Sequence, residues 1–510
     1  MTSARLRDSI AGAIAAGLAL GVSELIAGVV TAAPSLVESL GNWVIDHVPT
    51  AVKEWAISVF GANDKLVLLI SISVVTLIIG AIVGMFARKR FWIAVVMFAG
   101  FGVIAVLAAL ADPQVTVIDA LIPAVVAVVV GLATLRMLYA SSAARPDAES
   151  DSSKRSFIIG AGAVVAVAAL SAGLGRALIE RAKRAVAGRD DVILPSAADA
   201  LSPVPGAADF AIEGVEPILV PNVDFYRIDT ALSVPRIDLQ EWSLSITGMV
   251  DRPYSIGFPD LLDMRMVERD ITLSCVSNQV GGSLVGNARW LGVPLTEVLD
   301  RAGVDAGAQQ IVGRSVDDFT VGFPLEAAYD GREALIAVGM NGEPLPFEHG
   351  FPARLVVAGL YGYVSATKWL SEIELTTWDG FDAYWVPRGW AKEAPIKTQS
   401  RIDTPGAAET IDMGRHVVAG VAWAPTRGIS RVEVQLGEDA DWVEAELSQP
   451  LSENAWVQWK VDWEVTDPGR HVLRCRATDG RGDPQTEEVR PPAPDGATGW
   501  HSKPVFVSEA

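Results

Sequence analysis

Apolar residues are distributed very unevenly along this chain. Up to about residue 180, Ala, Val, Ile, Leu and Gly dominate and charges are few. A helix needs about 20 apolar residues to cross a hydrocarbon core. Five stretches supply that or nearly so: Ile10–Val30, Leu66–Phe86, Phe91–Ala111, Val115–Leu138 and Phe157–Leu174. One such stretch alone is equally a buried helix of a water-soluble core. Five in succession, with no polar faces between them, predict an all-α transmembrane bundle over residues 1–180.

Basic residues in short loops orient such a bundle. Arg5 and Arg7 precede the first stretch, Arg88, Lys89 and Arg90 separate the second from the third, and Arg145, Lys154 and Arg155 separate the fourth from the fifth. These segments are expected on the cytoplasmic side of a cell membrane, with the loops Thr31–Lys65 and Asp112–Gln114 opposite. An odd number of crossings then puts the rest of the chain outside the cytoplasm. Glu24 and Asp119 lie within or near spans, either as functional intramembrane carboxylates or as groups packed at helix ends. The single histidine of this half, His47, falls in an outer loop, so the bundle has no axial ligands and no haem is expected. An anchor or a docking site remains. Ser153-Lys154-Arg155-Ser156-Phe157-Ile158 resembles the twin-arginine export motif, with Lys in place of the first Arg. A basic anchor at the cytoplasmic end is the alternative.

Beyond the fifth stretch the pattern changes. Arg181–Asp209 has no clear period, and residues 181–215 read as a linker. From 216 to 400 short strands and helices mix: Trp242–Gly248 alternates, Phe258–Met266 and Leu295–Ala302 look helical, and Ile271–Cys275, Arg354–Ala358 and Glu372–Thr376 are strand-like. An α+β domain is predicted. From 401 to 510, and clearly after Gly414, strand follows strand with turn residues between, which predicts a two-sheet β-sandwich. Cys475 alternates within one of these strands and belongs in its core.

Composition narrows the chemistry. The 510 residues carry a formal net charge of -20, so no nucleic acid is expected as partner. Two cysteines, Cys275 and Cys475, are too few for a disulfide scaffold. Cys275 ends a strand and enters a loop with Gly281, Gly282 and Gly286. Three readings stand on these residues: a buried structural thiol, a nucleophile, or a metal ligand.

The surrounding motifs favour the last. Ile271-Thr272-Leu273-Ser274-Cys275-Val276-Ser277-Asn278 resembles the molybdenum-ligand segment of the sulfite oxidase family of molybdopterin-dependent oxidoreductases. Asn287–Leu295, Gly342–Pro346, His349-Gly350-Phe351-Pro352-Ala353-Arg354, Gly359–Gly362 and Ser365–Trp369 are similar to further family segments in the same order. The resemblance covers about Asp224 to Val507 and leaves the membrane half outside it. It implies a sulfite-oxidase-type molybdopterin domain followed by an Ig-like sandwich. Cys275 would be the single protein thiolate on molybdenum, and His349, Arg354, Ser365 and Lys368 would hold the pterin and its phosphate, with Asn278 close to the metal. Arg227 and Tyr384 would face a small-molecule substrate. A homodimer is among the assemblies this resemblance implies.

One departure bears on the substrate. Family members that oxidise sulfite place a basic residue five positions after the ligand cysteine, and here that position is Val280. Loss of a cation weakens binding of a dianion, so a neutral S-oxide or N-oxide fits at least as well as sulfite. With no haem domain in this sequence, electrons would pass to or from a separate protein or a quinol. The rival readings are a non-catalytic membrane receptor or assembly module that keeps the fold, and a five-span transporter. The near absence of charge within the spans argues against the transporter.

Overall fold

The computed structural model describes residues 3–30, 33–60, 64–112, 115–141, 150–186, 188–232, 234–235 and 237–508. They fall into two compact units, Met1–Ala187 with Ala231–Arg236, and Gly188–Thr230 with Ile237–Ala510.

The first unit is helical: α1 (Ser3–Val29), α2 (Leu36–His47), α3 (Thr50–Phe60), α4 (Asp64–Ala87), α5 (Phe91–Ala109), α6 (Val117–Ser141) and α7 (Ser150–Val186). Five of these, α1 and α4 to α7, are long and apolar enough to cross a membrane. Their outward faces carry large apolar side chains such as Ile78, Leu107 and Leu170. The expected loop Thr31–Lys65 instead holds α2 and α3. Ser35 starts α2 by accepting the Glu38 N–H at 3.2 Å, a local cap that leaves no mark on span-length hydropathy. Helix α7 begins ahead of Phe157, so the polar Ser153–Ile158 segment is helical too; its side chains, and Arg145, lie outside the described residues.

Polar contacts mark the two ends of this unit. Arg88 pairs with Asp8 at 2.8 Å, which puts the start of α1 and the α4–α5 junction at one end. At the other end the Ser35 hydroxyl bonds the Glu24 carboxylate, and Arg176 of α7 pairs with Glu38 at 2.7 Å. Asp119 accepts the Thr116 hydroxyl at the start of α6. Glu24 and Asp119 thus accept hydrogen bonds from Ser35 and Thr116 near helix ends, in line with the helix-end alternative. His47 stacks on Trp43 and bonds its carbonyl.

α1 packs closely because small residues face each other. A Cβ on Gly12 would stand 2.1 Å from the Gly80 oxygen, and one on Gly84 would stand 2.8 Å from the Gly12 Cα. Gly28 and Gly175 meet in the same way between α1 and α7.

The second unit contains four sheets. Its strands are β1 (Ser243–Gly248), β2 (Tyr254–Gly257), β3 (Val267–Ser274), β4 (Val285–Pro294), β5 (Gln310–Ser315), β6 (Thr320–Pro324), β7 (Ala334–Met340), β8 (Glu343–Pro344), β9 (Arg354–Val357), β10 (Leu370–Thr376), β11 (Gln399–Thr404), β12 (Thr410–Asp412), β13 (Gly414–Trp423), β14 (Ile429–Gln435), β15 (Trp442–Glu444), β16 (Glu446–Leu447), β17 (Val457–Val465), β18 (Gly469–Asp479) and β19 (His501–Ser508). One sheet is ordered β2-β1-β10-β5-β6, with β1 and β10 parallel. Another is β3-β4-β7-β8, with β9 added beside β7. Short helices α8 (Phe258–Leu262), α9 (Leu295–Ala302) and α10 (Gly362–Ser365) complete this α+β part. Trp290, Phe323, Leu335 and Phe351 fill a common core. The segment read as linker is folded from Gly188 onward: Val192 and Leu194 pack on that core, and Asp199 bridges to Val267 at the edge of β3.

The remaining two sheets, β11-β13-β17-β16 and β12-β19-β18-β14-β15, form the C-terminal β region. Val418, Val432, Trp459, Leu473 and Val505 fill its core, together with a fully buried Cys475, as its alternation predicted.

Gly84→Val should destabilise the helical unit by about 1–3 kcal/mol through overpacking. The check is an earlier loss of helical signal on heating in detergent. Gly160→Ala, which meets open space, should leave that transition in place.

Candidate cofactor and substrate site

Strand β3 is buried along most of its length and delivers Cys275 at its end. The chain then turns back to β4 through a loop held by its own polar groups. Cys275 N–H donates to the Leu284 carbonyl at 2.9 Å, Asn278 N–H to the Cys275 carbonyl at 3.1 Å, and Leu284 N–H to the Asn278 Oδ1 at 2.9 Å. Gly282 is required because a Cβ there would stand 2.5 Å from that Oδ1. Asn278, expected beside a metal, thus gives its carboxamide oxygen to closing the loop.

The C-terminal β region grips the same loop. Arg401 donates to the Gly282 carbonyl at 3.0 Å. Gly281, at φ +77°, lies so close to His501 that a Cβ would stand 2.2 Å from its ring. The preceding strand is tied in as well, through Thr272 N–H to the Asn454 carbonyl and Trp456 N–H to the Thr272 hydroxyl.

His349, Arg354 and Lys368 arrive on two segments zipped together by backbone bonds. Trp369 N–H reaches the Gly350 carbonyl, Leu355 N–H the Thr367 carbonyl and Leu370 N–H the Ala353 carbonyl. Gly350 adopts φ +108°, and a Cβ on it would press at 3.0 Å on Lys368 and 3.1 Å on Arg354. Its lack of a side chain lets the two cations approach.

Burial shapes the chemistry of each group. It pushes the Cys275 thiol above its usual range, opposed by Ser277 and by the Lys368 charge. It lowers His349 to about 3, with Lys368 and Arg354 adding to the effect. It lowers Lys368 to about 8 against the pull of Asp229, and Arg354 to about 10. Arg354 lies over the Trp290 ring at 5.1 Å and donates to the His349 carbonyl at 3.1 Å. Among the described residues it has no carboxylate partner. The His349 Nε2 bonds the Asn222 carbonyl at 3.1 Å, which makes it the protonated nitrogen. Its Nδ1 is buried without a partner.

The other expected residues are placed as follows. Arg227 Nε and Lys368 Nζ both donate to the Oδ2 of Asp229, at 2.9 and 3.1 Å. Ser365 is fully buried and donates to the Tyr361 carbonyl at 3.1 Å, closing α10. Tyr384 stands with Phe319, Trp385 and the Arg388 guanidinium, which lies 3.6 Å from its ring centre. Tyr226, Tyr361 and Asp229 were not foreseen. Tyr226 couples electrostatically to both Cys275 and Arg354, and burial raises its hydroxyl. Tyr361 also couples to Cys275 and is pushed up to about 12. Tyr226 adjoins Arg227 in sequence, and Asp229 is the nearest acid to it, which was the available signal.

A molybdopterin fits this arrangement. A neutral imidazole with an unused acceptor suits the N–H edge of a pterin. A buried guanidinium with donors to spare suits a phosphate. Among the described residues no three His, Cys, Asp or Glu side chains converge as a metal-binding set. A metal at Cys275 would take its remaining ligands from a cofactor.

Comparison with known proteins agrees. Residues 231–385 match the family described as the oxidoreductase molybdopterin binding domain. The chain is similar to mitochondrial sulfite oxidase of Rattus norvegicus, 27% identical over 323 residues, 54% of this chain and 59% of the relative. It is 28% identical over 329 residues to sulfite oxidase of Arabidopsis thaliana, covering 53% of this chain and 83% of that protein. The chain thus spans only 59% of the length of its rat relative. Its fold resembles the crystal structure of the sulfane dehydrogenase SoxCD from Paracoccus pantotrophus, with TM-score 0.50, 24% identity, and 59% of this chain and 85% of that chain covered.

In cofactor-free protein, His349 stays neutral down to about pH 3, while in the unfolded chain it gains a proton near its ordinary value of about 6.5. The unfolded state binds more protons between those values. Stability is therefore complete above that window and falls as pH drops through it. Denaturant midpoints measured at about pH 4 and pH 7 should show a smaller acid loss in His349→Asn than in the native protein. An equal loss would contradict the assignment.

Proposed function

We propose, given that this chain carries an oxidoreductase domain of the molybdopterin-binding, sulfite oxidase type, that it is a membrane-anchored oxygen-atom-transfer enzyme whose active site lies outside the cytoplasm. The observation that carries the catalytic part is a buried arginine with no carboxylate partner among the described residues, bonded to the carbonyl of a buried histidine with an unused nitrogen, and a buried lysine whose charge reaches Cys275. These are costs the polypeptide bears unless an anionic, hydrogen-bonding group occupies the site.

In this reading Cys275 supplies the thiolate. His349 accepts from the pterin edge, Arg354 and Lys368 face phosphate or metal-bound groups, and buried Tyr226 lies within electrostatic reach of both Cys275 and Arg354. When bound, the molybdenum cofactor supplies two-electron redox chemistry coupled to gain or loss of one oxygen atom. The residues of this chain bind, orient and dehydrate. Lys368, held near pH 8, is suited to hold or release a proton at Nζ under ordinary conditions. Arg227 and Tyr384 orient the substrate. The reaction takes an S-oxide or N-oxide with two electrons and two protons to the deoxygenated product and water, or runs the other way as a sulfite-type oxidation, in which water supplies the oxygen atom and two electrons and two protons are released. A separate electron-transfer protein or a quinol exchanges the electrons.

The membrane part rests on five apolar helices and on the Asp8–Arg88 pair, which gathers basic segments at the end of the helical unit opposite Glu24 and Arg176. With that basic end facing the cytoplasm, α7 leads the chain outward. The lysine-arginine segment ahead of the fifth span fits export of the folded half by a twin-arginine route.

Metal analysis of the purified full chain should find molybdenum, and Cys275→Ser should lower its content by about tenfold or more. Equal molybdenum in both proteins would sink the enzyme reading and favour a binding module that has kept the fold.

A further inference from the structure

The outer part of the site holds an arrangement that the cofactor does not explain. Arg227 and Lys368 come from different segments, yet both end on one oxygen of Asp229. The Asp229 side chain is only 5% exposed, and that of Lys368 10%. A second acid, Asp317, lies close enough to couple to Asp229; its carboxylate accepts the Phe319 N–H, and its own backbone N–H donates to the Ser315 hydroxyl. Phe319 in turn packs on Tyr384 at 5.5 Å. The two cations that would receive an oxyanion are thus already engaged by an internal carboxylate.

We infer that Asp229 is a specificity-determining residue, a built-in counter-anion that converts an oxyanion pocket into one for an uncharged oxide. The inference rests on the oxygen-transfer reading and names its substrate class. Arg227 and Lys368 bring two positive charges and Asp229 removes one. A dianion entering this space must displace a carboxylate that is tethered, buried and already aligned, and therefore present at a high effective concentration. A neutral oxide displaces nothing. Arg227 is held through Nε alone, and its terminal nitrogens make no hydrogen bond among the described residues. They remain as donors for an S–O or N–O oxygen. Such an oxygen carries a large partial negative charge and needs hydrogen bonds rather than a neutralising cation pair.

The test is calorimetric titration of the molybdenum-loaded full chain in detergent with inorganic sulfate, beside dye-linked reduction of dimethyl sulfoxide. Asp229→Asn keeps the shape of the side chain and removes its charge. It should bind sulfate at least about tenfold more tightly than the native protein. That gain should vanish in Arg227→Gln/Asp229→Asn. It should also raise the KM for dimethyl sulfoxide, because Arg227 loses its positioning partner. Unchanged sulfate affinity in Asp229→Asn, at full molybdenum content, would overturn the inference. Should the variant fail to load or fold, the native titration decides. Weak, millimolar-range sulfate binding supports the built-in counter-anion, and micromolar binding overturns it. Failure of the parent reading would look different, as native protein without molybdenum or without turnover of any oxide.

Discussion

The constraint on which this site depends is the cost of keeping cations out of water. Arg354 lies in the core of its unit with no carboxylate partner among the described residues, Lys368 is almost as deep, and His349 in their company takes a proton only at strongly acidic pH. A charge buried without compensation costs several kcal/mol. The fold can carry that cost only through rigid packing around these groups. Gly350 between the two cations, Trp290 under the guanidinium and the paired backbone of 350–355 with 367–370 provide it. The result is a positive recess that is ready for an anionic cofactor before one arrives.

Charge is then divided between an inner and an outer zone. Inside, Arg354 meets no carboxylate among the described residues. Outside, Arg227 and Lys368 are answered by Asp229. The two zones share Lys368, whose lowered proton affinity reflects burial set against that carboxylate. The inner zone suits a phosphate and the outer one does not suit a free dianion. This division is a property of a few side chains within one fold.

Much of this was legible in the sequence, and the rest was not for identifiable reasons. Apolar runs of span length have few alternative explanations, and all five recur as long helices within a few residues of the expected bounds. Strand β1 was likewise marked by its alternation, and a strand entering Cys275 and a helix over Leu295–Ala302 were expected where β3 and α9 lie. The short helices α2 and α3 escaped because a twelve-residue amphipathic segment carries no span-length signal. Residues from Gly188 onward looked aperiodic because they pack as an edge and a covering segment, which needs no internal period. Within the site, motif order located Cys275, His349, Arg354 and Lys368 on contacting segments. It could not tell that Asn278 and Ser365 give their polar atoms to the backbone, or that Asp229 joins Arg227 to Lys368. The first two depend on how a short loop and a single helical turn close on themselves, and the last on a contact across more than a hundred residues of chain.

The grip of the C-terminal β region on the cysteine loop has a consequence for the order of events during biosynthesis. Gly281 rests on His501 and Gly282 on Arg401, residues that leave the ribosome long after the loop itself. Until β11 and β19 are made and paired, the segment bearing Cys275 has no floor. The loop that bears Cys275 therefore gains its full set of contacts only after the C-terminal strands have been made, however complete the earlier sheets.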